Sequence, residues 1–289
     1  MATKRIDETL GGIPIYSRAL KIFNYILLCL TVIGICMPIL ILVNISFKTN
    51  KEYTFTPFYK LPEHFGNLAN YAEVFRRGQM LLGARNTLII CIAGVMICVT
   101  LGTMAAYALS RFKFRGRGFI LAMYAIATTI PFVTTQVATF SIIQALHLLN
   151  TLWAAIVLYS SVSVIELYLF IQFIEKVPFE LDESAMLDGA SYLTIYSRII
   201  LPLLKPAIVT VVILKVLAIY NDFLVPYLYM NRNELRTIST ALYHFTFDVN
   251  TQYNLVGAGV IMVMLPTLLL YVLLQKYIIA GALGGSVKE

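Results

Sequence analysis

The sequence predicts an all-α polytopic membrane protein, a transmembrane helical bundle of six spans with both termini in the cytoplasm. Three observations predict it. Of 289 residues, 59% are hydrophobic and only 13% charged, against roughly 25% charged in soluble domains. Apolar runs of about 20 residues recur, each long enough to cross a hydrocarbon core of about 30 Å. Basic residues gather in short stretches between the runs, as they do in cytoplasmic loops. The runs are too long and too uniformly apolar for barrel strands, which leaves helices as the spanning element.

The elements follow in order. Residues 1–18 are expected to form a cytoplasmic segment. The first span covers 19–46; it is longer than a signal-peptide core and lacks a small-residue cleavage site, so no cleavable signal is expected. The second span covers 86–110, the third 119–144, the fourth 152–174, the fifth 206–230 and the sixth 254–275. Residues 19–275 then form one six-span domain with an inner loop at 175–205, and 276–289 form a cytoplasmic tail.

The short loops set the direction. "RFKFRGRG", Arg111 to Gly118, holds four basic residues and no acid, whereas the stretch His147 to Thr151 has no Lys or Arg. The first is expected inside and the second outside. The connection from Phe47 to Arg85 is then external despite six basic residues; it carries three acids, and long loops obey the rule less strictly. The net charge of +7 records orientation, not nucleic-acid binding. Cys29 and Cys36, like Cys91 and Cys98, lie two turns apart on one helix face, a separation of about 10 Å that excludes a disulfide within either pair.

The inner loop concentrates acid. Five of the chain's 15 Asp and Glu residues fall between Glu175 and Asp188, four of them in the stretch "VPFELDESAMLDGASYLTIYSRIILPLLKP" from Val177 to Pro206. Pro178 suits a first helical turn. Glu180, Asp182 and Glu183 follow where the helix dipole favours negative charge, and Gly189 stands where a left-handed residue would end the helix. These signals predict a short helix over 178–188. Ser191 can cap a second helix, with Pro202 and Pro206 as breaks or kinks. Leu181, Ala185 and Met186 form one small apolar face. Two readings stay open: a solvated helix holding the loop off the headgroups, or a plug for a groove in another protein, fixed by a carboxylate meeting a basic partner.

"ESAMLDGA", Glu183 to Ala190, followed by "ILPLLKP", Ile200 to Pro206, resembles the cytoplasmic loop signature of binding-protein-dependent ABC importer permeases, E-A-A-x-x-D-G-A with an L-P about ten residues on. Ser184 replaces the first Ala. "NTLIIC" from Asn86, "AYALSRFKFRGRG" from Ala106, "LHLLNTLWAAIVL" from Leu146, "YNDFLVP" from Tyr220 and the tail "KYIIAGALGGSVKE" resemble the maltose-importer-type (MalG-like) sugar permeases. The resemblance covers nearly everything after about residue 20. It implies a coupling helix docking into a cytoplasmic ATPase subunit. Glu183 would meet a basic group there, Ala185 would pack at close approach, and Asp188 and Gly189 would turn the chain back to the membrane. It further implies a second homologous permease subunit, two ATPase subunits carrying ATP and Mg, an external substrate-binding protein, and a place in the bacterial inner membrane. Transport would be of a carbohydrate, with an oligosaccharide as the default, by alternating access.

The residues themselves agree that the energy comes from elsewhere. The chain has no G-x-x-x-x-G-K-[ST] phosphate loop, and "GALGGSVKE" has the wrong spacing. His64, His147 and His244 fall in or beside expected external loops without metal-ligand spacing. No catalytic constellation is visible, so an enzyme is not expected and no cofactor is assigned to this chain. Glu166, Lys215 and Asp222 are intramembrane ionisable residues and hence functional candidates. Glu166 and Lys215 lie at matching depth, and either a pair or two independent pore-facing roles would account for them. Asn221 and Asp222 are expected to cap or brace a helix interruption before Pro226, with sugar binding as the alternative. The rival class is an ion-coupled secondary transporter, which would need an inverted repeat that the sequence does not display and would leave the acidic inner helix unexplained.

Overall fold

The structure, a computed structural model, describes residues 9–10, 13–14, 18–243 and 252–284. A two-residue antiparallel pairing, Thr9–Leu10 with Ile13–Pro14, precedes elements that are all helical among the described residues. Among the described residues, three helices are long and apolar enough to cross a membrane unaided: α1 (Arg18–Ser46), α4 (Met80–Arg111) and α15 (Tyr253–Gly284). Three bent pairs supply the other apolar lengths. The first is α5 (Arg117–Ala127) with α6 (Gln136–Ala145), and the second is α7 (Leu152–Tyr159) with α8 (Val164–Glu175). In the third, a helical stretch over 192–203 turns into α12 (Lys205–Asn221).

The expected continuous third and fourth spans are therefore corrected, each for a reason readable in the side chains, whereas the fifth is interrupted near Asp222 as expected. Between α5 and α6 the axis turns by 101°. There Thr128 and Thr129 donate back to the Ala125 and Ile126 carbonyls, and Pro131 disfavours helical backbone at Ile130. A 47° break separates α7 from α8, where Ser160 and Ser161 bond back to the Ile156 and Leu158 carbonyls and Ser163 starts a new helix. The fifth run stops at Asn221, and α13 (Leu224–Tyr229) begins anew after Asp222.

Short helices fill the connections. After α1 come α2 (Asn50–Phe55) and α3 (Ala69–Arg77); between α8 and α12 lie α9 (Glu180–Leu187), α10 (Tyr192–Ile195) and α11 (Leu201–Leu203); before α15 lies α14 (Ile238–Ala241). A π-helical turn at Tyr196–Ile200 joins α10 to α11, letting the helix absorb Pro202 before a 73° bend into α12. The sixth apolar helix runs on past residue 275 to Gly284, into the expected tail.

Helix α4 is the organising element, packing on α7, α8 and α12. Of the glycines in α4, Gly102 makes the closest approach: a Cβ there would stand 3.0 Å from the Phe170 ring of α8. Small residues serve membrane interfaces in this way, since lipid gives apolar helices no solvophobic reason to associate. One cluster of buried residues, including Tyr107, Phe170, Ile195 and Leu204, ties together the end that carries α9; another, including Ile90, Ile156 and Tyr229, ties the other end. Residues 20–40 of α1 stand outside both clusters and are exposed.

Candidate functional site

The acidic stretch folds as the local signals require, starting two residues later than expected. The Leu181 and Asp182 amides reach the Pro178 and Phe179 carbonyls, an opening turn that leads into α9. The helix ends in a Schellman motif. Gly189 has φ +82°, its amide bonds to Met186, and the Ala190 amide bonds to Ala185. Ser191 then caps α10, accepting from the Thr194 amide.

Helix α9 has two faces. Asp182 and Ala185 point into the protein, Asp182 being 1% exposed. Leu181, Glu183, Ser184, Met186 and Leu187 point out, with Leu187 at 90% exposure. This corrects one expectation: Ala185 does not share an outward plug face with Leu181 and Met186 but packs into its own chain's inner cluster. Glu183 is exposed and has no ion pair among the described residues.

The inward face is held by a residue that the sequence reading passed over. Arg111 ends α4; its Nε lies 3.0 Å from Asp182 Oδ2, and its Nη2 donates to the Val177 carbonyl at 2.9 Å. The guanidinium also sits 5.6 Å from the centroid of the Phe179 ring. Burial pushes the Asp182 carboxyl above its usual range, against the opposing pull of Arg111. In "RFKFRGRG" Arg111 is one of four basic residues, and nothing local distinguishes it from the charges that set topology.

A second polar group lies between the apolar helices. Lys215 Nζ is 3.3 Å from Glu166 Oε1 and donates to the Ser161 carbonyl at 2.8 Å. Glu166 is the third residue of α8 and closes a capping box with Ser163, accepting from the Ser163 amide at 2.7 Å. Cys98 of α4 reaches the same carboxylate at 3.4 Å. The two charges thus meet each other, at the break between α7 and α8.

Asp222 does structural work. Its Oδ1 accepts from the Leu224 and Val225 amides, capping α13, while Oδ2 accepts from the Tyr159 hydroxyl at 3.0 Å. Asn221 is exposed and donates to the Leu217 carbonyl. His64 and His147 are exposed. His244 lies outside the described residues.

Residues 98–282 match the family described as "Binding-protein-dependent transport system inner membrane component". The chain belongs to that family. This permease is 32% identical over 267 residues to the "Probable starch degradation products transport system permease protein AmyC" of Thermoanaerobacterium thermosulfurigenes, covering 90% of this chain and 96% of that protein. It is 29% identical over 272 residues to the "Galactooligosaccharides transport system permease protein GanQ" of Bacillus subtilis, covering 92% and 95%. Its fold is that of a chain in the "Crystal structure of a bacterial ABC transporter involved in the import of the acidic polysaccharide alginate", with TM-score 0.79 at 23% identity over 92% of this chain and 99% of the other. It is a multi-pass membrane protein and a permease subunit of an ABC importer.

Proposed function

We propose that the permease carries a carbohydrate, an oligosaccharide by preference, from an external binding protein across the bacterial inner membrane by alternating access. The six apolar lengths cross the bilayer with both termini inside. A second homologous permease completes the pathway, and two cytoplasmic ATPase subunits supply ATP and Mg. The outward face of α9 docks into one of those ATPases. The observation that carries this reading is the division of α9: Asp182 and Ala185 attach it to its own chain, while Leu187 stands almost fully exposed beside an unpaired carboxylate at Glu183. An exposed apolar side chain rimmed by charge on a small helix is the form of a helix-in-groove contact. ATP can then shift the transporter only through its differential affinity for the two states, and α9 hands that difference to the spans. The names borne by the relatives support the carbohydrate.

The test is co-purification. An ATPase should accompany the intact chain and be lost from a Glu183→Ala, Leu187→Ala double variant that leaves Asp182 and Ala185 in place. Glu183→Ala alone should weaken docking by about 2–5 kcal/mol, as for a truncated buried interfacial charge pair. Full retention in the double variant would refute the docking. Thermal shifts of the matching external binding protein against a panel of oligosaccharides would name the sugar.

A further inference from the structure

The Arg111–Asp182 contact joins residues 71 positions apart, by subtraction, and it closes a gap the local chain leaves open. Helix α9 is connected to α8 only through Lys176–Phe179 and to α10 only through Asp188–Ser191. Neither link is helical throughout, so neither by itself fixes the direction of α9. Arg111 reaches across at three points at the root of α9: the Asp182 carboxylate, the Val177 carbonyl and the Phe179 ring. A planar guanidinium can hold such an arrangement, whereas a point-charge ammonium cannot satisfy all three. The side chains are 9% and 1% exposed, so water screens the attraction little. The neighbouring ion pair, Arg117 with Glu175 at 3.6 Å, is far more open at 35% and 54% exposure and offers little restraint.

Beyond Arg111, α4 meets the rest of the bundle closely. Thr103 shares a 2.8 Å hydrogen bond with Tyr196 of the π-helical turn, Gly102 abuts Phe170, and Cys98 reaches Glu166. A displacement of α9 that is passed to α4 is therefore passed to α8 and α12.

We propose that Arg111 and Asp182 form a strut that makes α9 and α4 one rigid body, with Arg111 the positioning residue through which a pull on α9 enters the membrane. This rests on the docking role given to α9 above. Adjacent acids then divide the work: Glu183 faces the partner and Asp182 faces the lever.

The test uses the permease assembled with its partner subunits, with the exposed Cys29 and Cys36 changed to Ser and spin labels placed at Ala108→Cys on α4 and Glu180→Cys on α9. With Arg111 present, the label separation should stay constant between the nucleotide-free complex and the complex trapped with ATP and vanadate. With Arg111→Met it should change on trapping. Because that variant strands a buried carboxylate and can fail to fold, Arg111→Met with Asp182→Met is measured beside it. The double variant removes both charges and should regain thermal stability, yet its labels should still separate. If the double variant folds, retains its ATPase and holds its label separation on trapping, the strut is overturned and the pair is only structural. If the unaltered chain retains no ATPase, the docking reading fails first, and the strut with it.

Discussion

Among the described residues two ion pairs are buried, and they are finished differently. At the break between α7 and α8, Lys215 and Glu166 are surrounded by further partners: the Ser161 carbonyl, the Ser163 amide and the Cys98 thiol. At the root of α9, Asp182 Oδ1 is buried without a hydrogen-bond partner among the described residues, and Arg111 Nε, though 3.0 Å from Asp182 Oδ2, makes no aligned hydrogen bond. A buried pair repays its desolvation only when the remaining donors and acceptors are satisfied. The inner-bundle pair meets that condition and serves as scaffold. The α9 pair meets it in part and leans on the other contacts of Arg111, with the Val177 carbonyl and the Phe179 ring; it is a fastened joint between α9 and α4, distinct from the scaffold.

The sharpest way to break this contrast is to remove one charge from the completed pair. Lys215→Met should destabilise the permease by about 3–5 kcal/mol, the usual cost of stranding a buried partner. Adding Glu166→Gln, which keeps an acceptor for the Ser163 cap, should recover much of the loss. Thermal unfolding in lipid nanodiscs reads both. A single variant with wild-type stability would show that the Lys215 pair is no scaffold.

How much of this was legible in the sequence follows the range of the interactions. Helix α9 was legible because its signals are local: Pro178, three acids in the first turns, Gly189 at the end. The capping role of Asp222 was legible for the same reason, since Pro226 marks a restart. The continuous spans at 119–144 and 152–174 were misread because Thr128–Thr129 and Ser160–Ser161 look merely polar in an apolar run; their back-bonding to the preceding turn shows only once the backbone is placed. Arg111 could not be singled out, because one arginine among four basic residues is distinguished only by what lies opposite it. Ala185 was assigned to the wrong face for a related reason: a helix wheel orders side chains around an axis but does not say which way the axis is turned.

Gly189→Val sharpens the comparison at the joint. A Cβ at Gly189 would meet nothing within 4 Å, so the substitution tests backbone geometry alone. At φ +82° it should cost about 1–2 kcal/mol, the penalty for left-handed backbone with a side chain, with a β-branched residue at the upper end. The loss should fall on the end of α9 and its turn into α10, read as faster amide exchange over 185–191, and leave the Lys215 region unchanged. Equal acceleration around Glu166 would mean that the two regions unfold as one and that no joint exists between them.

The smallest expected effect is one of sign, and it separates a buried acid from an exposed one. Asp182 has its carboxyl pKa raised above the ordinary value of 3.8, chiefly by burial. The native chain therefore holds that proton more firmly than the unfolded chain does. Its contribution to stability is fully present below pH 3.8 and is lost as pH rises through the folded-state value. Glu73, beside Arg76 in the connection before α4, has its pKa lowered from 4.5, first by the hydrogen bond from Arg76. Its contribution runs the other way, present above 4.5 and lost as pH falls through the folded-state value. Unfolding profiles between the two protonation limits should therefore shift in opposite senses. Replacing Asp182 by Asn should remove a component that falls with rising pH, and replacing Glu73 by Gln one that rises. If the Asp182→Asn difference profile instead climbs with pH, the attraction of Arg111 outweighs burial at that site. The α9 pair would then be as complete electrostatically as the Lys215 pair, and the distinction between joint and scaffold would have to rest on hydrogen bonding alone.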